Sequence, residues 1–138
     1  MRNRIFLDTN ILADLFLDRW PYSDHTLLLL NTAKDKGWEL SCSALTVANL
    51  LYLMRRLDDS VKQKALGIIQ QYVVILDLKA EHLIGAMSLY SNDVEDAIQM
   101  QVALTNNQDY IITRDLKGFL NSPIEVKTLV EFLEFESE

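Results

Sequence analysis

The sequence predicts an α/β fold built around a mostly parallel sheet. Short apolar runs typical of strands alternate along the chain with longer segments whose apolar residues recur at helical spacing. The first run, Ile5-Phe6-Leu7, is apolar without a break, which is the pattern of a strand buried on both faces, as in a parallel sheet. No internal repeat and no low-complexity segment interrupts the alternation.

The composition indicates one globular domain spanning residues 1–138, since 49% of the residues are hydrophobic and can bury a core. The longest apolar run, residues 27–30, is far too short to span a bilayer, and we expect no signal peptide. The single cysteine, Cys42, cannot form an internal disulfide and fits a reducing compartment. We therefore expect a cytoplasmic protein without a membrane partner.

The net charge of −7 argues against binding nucleic acid by neutralising many phosphates, because such proteins are basic. If this chain handles nucleic acid, it must do so through local basic patches or bound metal ions.

The predicted strands lie at residues 5–7, 38–42, 73–76, 110–113 and 124–126. Helices are predicted from residue 11, from about 23 to 36, from 44 to about 57, from 61 to about 71, from 80 to about 90, after residue 93, and up to residue 133.

Residues that start and stop helices separate these elements. Trp20-Pro21 breaks the first helix, Gly37 ends the second, and Ser43 caps the third. Asp58-Asp59-Ser60 starts the fourth helix, and Ser91-Asn92-Asp93 caps the sixth. The third helix is apolar nearly all round, which predicts a central and buried position.

Asp8 follows the first strand immediately. Asp8, Thr9 and Asn10 are residue types that cap helices, and from Ile11 the apolar residues change to helical spacing. A carboxylate is therefore placed at the carboxyl end of a central strand, where open α/β folds bind ligands. An ordinary helix cap is the competing interpretation, and other carboxylates at the same edge would decide against it.

Two further groups of acids occupy suitable positions. Asp93, Glu95 and Asp96 begin the sixth helix, and Asp93 and Asp96 are three residues apart, so both can point to one side. Asp93 alone is also explained as a cap. Asp115 follows the fourth strand, and loops after neighbouring parallel strands share one edge. We expect Asp8 and Asp115 to face each other, with Asp96 brought in by its helix.

Such a cluster requires a proton or a cation. Two carboxylates about 4 Å apart repel by about 4 kcal/mol at an effective dielectric near 20. Oxygen ligands without histidine or cysteine suit Mg²⁺ or Mn²⁺ rather than Zn²⁺. The function that follows is hydrolysis of a phosphodiester by a metal-activated water.

Four motifs in order carry a resemblance to a known family. They are Phe6-Leu7-Asp8-Thr9-Asn10, Ser43-Ala44-Leu45-Thr46, Asp96-Ala97, and Ile112-Thr113-Arg114-Asp115 followed by Phe119. With these motifs the chain resembles PIN domains over nearly its whole length, in particular the VapC-like toxin ribonucleases. The resemblance implies a three-layer α/β/α sandwich, Mg²⁺- or Mn²⁺-dependent cleavage of RNA, a homodimer, and a small antitoxin as partner.

The resemblance also implies roles for residues. The implied metal ligands are Asp8, Asp96, Asp115 and the accessory Asp93. Asn10 and Thr113 match positions that orient the first carboxylate by hydrogen bonding. The family usually has a glutamate early in the third helix, where this chain has Asn49. Asparagine can offer a neutral oxygen to an ion but no charge, so we expect weaker metal binding. Glu39 is a possible compensating acid.

Two other interpretations stay open. Asn49 favours a PIN-like binding module with weak or no catalysis. An aspartyl-nucleophile phosphohydrolase would want a second acid two residues after the first, and Asn10 stands there. Arg114 and Lys117 flank Asp115 and are predicted to meet an RNA phosphate.

Overall fold

The computed structural model describes residues 3–88 and 93–137. Its strands are β1 Arg4–Leu7, β2 Glu39–Ser43, β3 Val73–Leu76, β4 Tyr110–Ile112 and β5 Glu125–Lys127. Its helices are α1 Thr9–Phe16, α2 Tyr22–Lys36, α3 Ala44–Leu53, α4 Asp59–Tyr72, α5 Ala80–Ala86, α6 Val94–Thr105 and α7 Leu129–Ser137. A short 3₁₀ helix, Leu116–Phe119, follows β4.

The strands form one sheet in the order β3-β2-β1-β4-β5, and all neighbouring strands are parallel. From the central β1 the chain first builds outward through β2 and β3, and then returns to the other side of β1 to add β4 and β5. Ile5 is opposite Tyr110 and Leu7 is opposite Ile112 in the β1–β4 pair. In open α/β sheets, ligands bind at the carboxyl ends of the strands where the chain changes direction in this way.

Helices cover both faces of the sheet. Successive side chains of a strand point to opposite faces, so Ile5 and Leu7 enter one core and Phe6 enters the other, all completely buried. The first core takes buried residues from α1, α2, α3, α4 and α7, and the second takes them from α5, α6 and the 3₁₀ helix. The predicted α/β/α sandwich with a parallel sheet is confirmed.

Several predicted caps do what their residue types indicate. Gly37 ends α2 in the left-handed conformation, at φ +72°, and its N–H donates to the carbonyl of Ala33. The Ser43 hydroxyl caps α3 by accepting from the Thr46 N–H at 3.1 Å.

The prediction of a wholly buried third helix is wrong. Thr46 and Leu50 are buried, whereas Leu51, Tyr52 and Leu53 are exposed by 39%, 64% and 40%. The helix also ends at Leu53, earlier than expected, with the buried Met54 as its C-cap. Its apolar residues surround the helix, but the rest of the fold covers only one face, so an apolar strip remains on the surface.

The apolar run at residues 27–30 is divided in the same way. Leu29 and Leu30 are buried, while Leu27 and Leu28 are about half exposed. None of the helices in the described part of the chain is long and apolar enough to cross a membrane.

Other differences concern the ends of elements. β2 begins at Glu39 and β5 at Glu125, each one residue later than predicted, and α7 continues past residue 133 to Ser137. The end predicted for the fifth helix near residue 90 lies outside the described residues, as do Ser91 and Asn92 of the predicted cap. Within the described chain α5 ends at Ala86.

Candidate active site

Asp8 lies directly after β1, and both of its carboxylate oxygens are engaged. Oδ1 accepts from the Thr9 N–H at 2.8 Å and caps α1, whereas Oδ2 accepts from the Thr113 hydroxyl at 2.8 Å. The Asp8 N–H donates to the carbonyl of Ile112 at 3.0 Å, which extends the β1–β4 pairing by one residue. Asp8 is therefore a helix cap and also a fixed acid at the edge of the sheet.

Asp115 is joined to Asp8 through a single hydroxyl. The Asp115 N–H donates to Thr113 Oγ1 at 3.1 Å, and the same hydroxyl donates to Asp8 Oδ2. The Asp115 carboxylate caps the 3₁₀ helix by accepting from the Lys117 N–H at 3.1 Å. The sequence prediction that the loops after the first and fourth strands meet is confirmed by the β1–β4 pairing.

The first turn of α6 supplies three more acids. Asp93 caps the helix: its Oδ1 accepts from the N–H groups of Glu95 and Asp96 at 2.8 and 3.3 Å. Asp96 is half-buried at the sheet edge, facing the 3₁₀ helix. The positive end of the α6 dipole favours acids in this turn.

Gly118 leaves the space that Asp96 occupies. A Cβ on Gly118 would overlap Asp96 Oδ2 and lie 2.7 Å from its Cγ. Any side chain at this position would push the Asp96 carboxylate away. Glycine in the 3₁₀ helix therefore allows Asp96 to lie against the loop that also carries Asp115.

These acids line one cavity of about 350 Å³, which we call the acidic cavity. Its carboxylates are Asp8, Asp93, Glu95, Asp96 and Asp115. Asn10 also lines it, and among the described residues around it Arg19 is the single cation.

Burial, with repulsion among the carboxylates, raises the pKa of three acids of the cavity: Asp8, Glu95 and Asp96. Burial is the largest cause of a rise in the pKa of Asp8 to about 6, and repulsion from Glu95 and Asp93 adds to it, against the hydrogen bonds from Thr113 and Thr9. Burial also raises the pKa of Asp96 to about 7, followed by repulsion from Asp8 and the other acids of the cavity. A bound cation would reverse the effect of this repulsion, since it favours the charged form.

A buried polar network lies beneath the acids. The Gln99 amide donates to Thr46 Oγ1 at 2.9 Å and to Thr9 Oγ1 at 3.3 Å, and its oxygen accepts from Ser43 at 2.7 Å. The Thr9 and Thr46 hydroxyls are 2.9 Å apart. The network thus ties the starts of α1 and α3 to α6. Because buried polar groups are costly without partners, it holds these three helices in one relative position.

Asn49 on α3 reaches the acids through Glu95. Its Nδ2 donates to Glu95 Oε1 at 2.8 Å. Burial, and then repulsion from Asp93, raises the pKa of Glu95, while a hydrogen bond with the Thr9 side chain opposes the rise.

The donor set consists of oxygens, which suits Mg²⁺ or Mn²⁺. Within residues 3–88 and 93–137, no three acidic, histidine or cysteine side chains are close enough to form a ready-made cation cage. This arrangement fits an ion that keeps several waters and takes one or two carboxylates, as Mg²⁺ usually does.

Comparison with known proteins identifies the family of the chain. A family model described as the PIN domain matches residues 4–117. The chain belongs to the PIN domain family. A search of curated proteins found no match.

Three solved structures show the same fold. A toxin–antitoxin complex from Klebsiella pneumoniae has a TM-score of 0.67 and 22% identity, covering 91% of this chain and 97% of that chain. VapBC2 from Rickettsia felis, bound to a promoter DNA fragment, has a TM-score of 0.68 and 18% identity over 90% and 97%. Mycobacterium tuberculosis VapC20, a toxin that cleaves the sarcin–ricin loop, has a TM-score of 0.68 and 16% identity over 88% and 98%.

In this PIN domain the predicted acids Asp8, Asp93, Asp96 and Asp115 lie around one cavity. Thr113 binds Asp8 as expected. Asn10 acts differently: its Oδ1 accepts from the Arg114 N–H at 3.3 Å, so it ties α1 to the loop after β4.

The structure differs from the sequence predictions for Asn49 and Glu39. Asn49 was expected to offer its neutral oxygen to the ion, but its amide group donates to Glu95. Glu39, the possible compensating acid, lies at the start of β2, at the opposite end of the sheet from Asp8, where it pairs with Arg4 at 3.6 Å.

The guanidinium of Arg114 is already engaged. Its Nε lies 2.8 Å from Asp14 Oδ2, its Nη2 donates to Asp14 Oδ1 at 3.0 Å, and it stacks on Tyr22. The phosphate contact predicted for Arg114 would have to break this partly buried ion pair. Arg19 lies 3.5 Å from Asp14, is 41% exposed and lines the acidic cavity, so it is better placed than Arg114 to contact a phosphate there.

Sequence reasoning gave no role to Glu95, Arg19, Gln99 or Gly118. Gln99 carried a usable signal, because a polar residue stands there among the apolar residues of the buried α6 face. Glu95 stands between two acids that were assigned, but its contact with Asn49 depends on how α3 and α6 pack.

Proposed function

We propose that this PIN domain is a Mg²⁺- or Mn²⁺-dependent endoribonuclease of the toxin kind. The observation that carries the proposal is the acidic cavity at the carboxyl ends of β1 and β4, where five carboxylates surround one space. Acids brought together in this way are stabilised by a divalent cation, and a cation at such a site can in turn bind a phosphate.

Asp8, Asp96 and Asp115 would hold the ion, one or two of them directly and the others through its waters, with Asp93 as an accessory acid. When bound, a divalent ion supplies an activated water and neutralises charge on the phosphate. Thr113 keeps Asp8 in place through a hydrogen bond of 2.8 Å, and its link to the Asp115 N–H holds the two loops together. Asn10 strengthens the same connection by accepting from Arg114 N–H. These contacts preorganise the acids, which is what a catalytic ion site needs.

Arg19 would meet a substrate phosphate at the wall of the cavity. Asp14 already has two close contacts with Arg114, so the charge of Arg19 is only loosely paired at 3.5 Å. A cation beside an acidic cavity provides local attraction that the overall charge of −7 does not.

The toxin part of the proposal includes a protein antitoxin and a homodimer. It is supported by two similar structures, of which one is a toxin–antitoxin complex and the other is a toxin. The exposed apolar strip of Leu51, Tyr52 and Leu53 on α3 is a surface that a second copy could cover. Light scattering should give twice the mass of the chain, and a charged substitution at Tyr52 should give the single mass; a monomer at all concentrations would contradict the dimer.

The proposed activity is tested by cleavage of a fluorogenic RNA with Mn²⁺, with Mg²⁺ and with EDTA. An Asp96→Asn variant purified in parallel guards against contaminating ribonuclease. We expect cleavage with either metal and none with EDTA or with the variant. Cleavage that persists in the variant, or its absence from a folded wild-type protein on several RNAs, would refute the proposal.

A binding module without catalysis is the second candidate. It is favoured by Asn49, whose amide donates to Glu95 and adds no negative charge to the cavity. A wild-type protein that binds RNA but shows no heat of Mn²⁺ binding would support this candidate over the nuclease.

A further inference from the structure

A side-chain hydrogen bond of Asn49 joins two helices that are distant in sequence. Asn49 lies on α3 and Glu95 lies in the first turn of α6, and Nδ2 of the former is 2.8 Å from Oε1 of the latter. An amide N–H group can only donate a hydrogen bond, and Asn49 donates this one to a carboxylate. The contact therefore fixes a negative group.

The group that is fixed belongs to the acidic cavity. Glu95 lines the cavity together with Asp8, Asp93, Asp96 and Asp115. Its carboxylate also reaches the side chain of Thr9, the residue after Asp8. Glu95 thus lies between α3 and the start of α1, on the side of the cavity that α3 closes. A glutamate on α3 would bring its carboxylate to this same side.

We propose that Glu95 is an ion-binding acid of this site and that Asn49 is the positioning residue that holds it. In this chain the acid on the α3 side of the cavity comes from α6, and α3 supplies the donor that orients it. Asn49 engages one lone pair of Oε1, and a carboxylate has about four acceptor positions, so the Glu95 carboxylate keeps acceptor capacity for the ion or one of its waters. The inference rests on the proposed function, since both require a divalent ion in the acidic cavity.

The geometry offers a reciprocal variant as a test. In Asn49→Glu/Glu95→Gln the carboxylate moves to α3 and the amide moves to α6. The hydrogen bond can then form with donor and acceptor exchanged, and a carboxylate stays on the α3 side of the cavity. The total charge stays the same as in the wild type.

Mn²⁺ alone is the probe, titrated calorimetrically into the metal-free full chain at fixed pH. The variants are Glu95→Gln, Asn49→Ala and the reciprocal double variant, with Asp96→Asn as the reference for loss of the site. Glu39→Gln is the matched control, because it removes the same charge at the opposite end of the sheet. Circular dichroism and thermal unfolding establish that each variant is folded.

We expect Asn49→Ala to weaken Mn²⁺ binding by about 10-fold, as loss of a partner that orients a ligand does, and Glu95→Gln to weaken it at least as much. The double variant should recover to within about threefold of the wild type, and Glu39→Gln should match the wild type. Recovery of Mn²⁺ affinity is the informative result, because residues that act as one hydrogen-bonded pair compensate each other, whereas two residues that acted independently would show additive losses.

Two results would overturn the inference, and they differ in what else they overturn. If Asp96→Asn abolishes Mn²⁺ binding while Glu95→Gln leaves it unchanged, Glu95 is not an ion-binding acid, but the proposed function stands. If the folded wild type itself binds no Mn²⁺, the inference and the proposed function both fail.

Discussion

Replacing Gly118 by alanine tests whether the position of Asp96 matters as the structure indicates. The new Cβ would overlap Asp96 Oδ2 and lie 2.7 Å from Cγ, whereas ordinary van der Waals contact begins at 3.4 Å. The carboxylate must therefore move by at least about 0.7 Å, taking the difference of these two distances. Because Asp96 is half-buried and its side chain can rotate, we expect this movement to cost no more than about 1–3 kcal/mol of stability.

The effect on the site should be larger than the effect on the fold. A misplacement of about 1 Å in a catalytic group can cost about 100-fold in rate, so we expect RNA cleavage to fall by roughly that factor. Mn²⁺ affinity should fall with it, since Asp96 is a proposed ligand. Cleavage is measured under single-turnover conditions, Mn²⁺ affinity by calorimetry, and stability by urea denaturation.

Gly67 provides the matched control for Gly118. It lies within α4, and a Cβ there would have nothing within 4 Å. Gly67→Ala should stabilise the helix by about 0.5–1 kcal/mol and leave cleavage and Mn²⁺ affinity unchanged. If Gly118→Ala keeps both wild-type cleavage and wild-type Mn²⁺ affinity, the argument that this glycine positions Asp96 is wrong.

Three further predictions concern Asp8, Thr113 and Arg19. Because the pKa of Asp8 is raised from 3.8 to about 6, this group stabilises the metal-free protein most below about pH 4, and that stability is lost as the pH rises through about 6. The shift corresponds to at most about 3 kcal/mol in the free energy of unfolding. Asp8→Asn should remove this loss in urea titrations from pH 4 to 8 with EDTA. An unchanged pH dependence in the variant would show that Asp8 is not the group responsible. Thr113→Val removes a hydrogen bond to a buried carboxylate and should lower the free energy of unfolding, measured by urea denaturation, by about 1.5–3 kcal/mol. Thr113→Ser keeps the hydroxyl and should stay within about 0.5 kcal/mol of the wild type. Equal losses in both variants would show that packing, and not the hydrogen bond, is responsible. Arg19→Gln should weaken RNA binding and lower the slope of log affinity against log salt by about 1, whereas substitution of the exposed Arg56 by glutamine should change neither. Binding is measured by fluorescence anisotropy, with Asp96→Asn present in every protein to prevent cleavage. Identical salt slopes would contradict a phosphate contact of Arg19.

The elements that local signals specify were predictable. β3 lies at Val73–Leu76 as predicted, and Gly37 ends α2, because an apolar run and a glycine at a C-cap act through neighbouring residues alone. The position of Asp8 was predictable for the same reason, since it follows a strand and begins a helix. That Asp8 would meet the loop of Asp115 followed from the rule that loops after adjacent parallel strands share an edge.

Burial and side-chain partners were less predictable. The third helix was expected to be buried all round, but Tyr52 is 64% exposed, because periodicity shows which faces are apolar and not which faces the fold covers. Arg114 was expected to meet a phosphate, but its guanidinium pairs with Asp14, which lies 100 residues earlier in the chain.

The sequence by itself determined the alternation of strands and helices, the acids at the strand ends and, through its motifs, the PIN domain family. These features depend on residues within a few positions of each other or on short motifs. Only the tertiary structure decided that Asn49 binds Glu95, that Gly118 makes room for Asp96, and that Arg19 faces the cavity. Each of these depends on how closely separate elements pack, and packing distances of a few ångströms are set by the whole core rather than by local sequence.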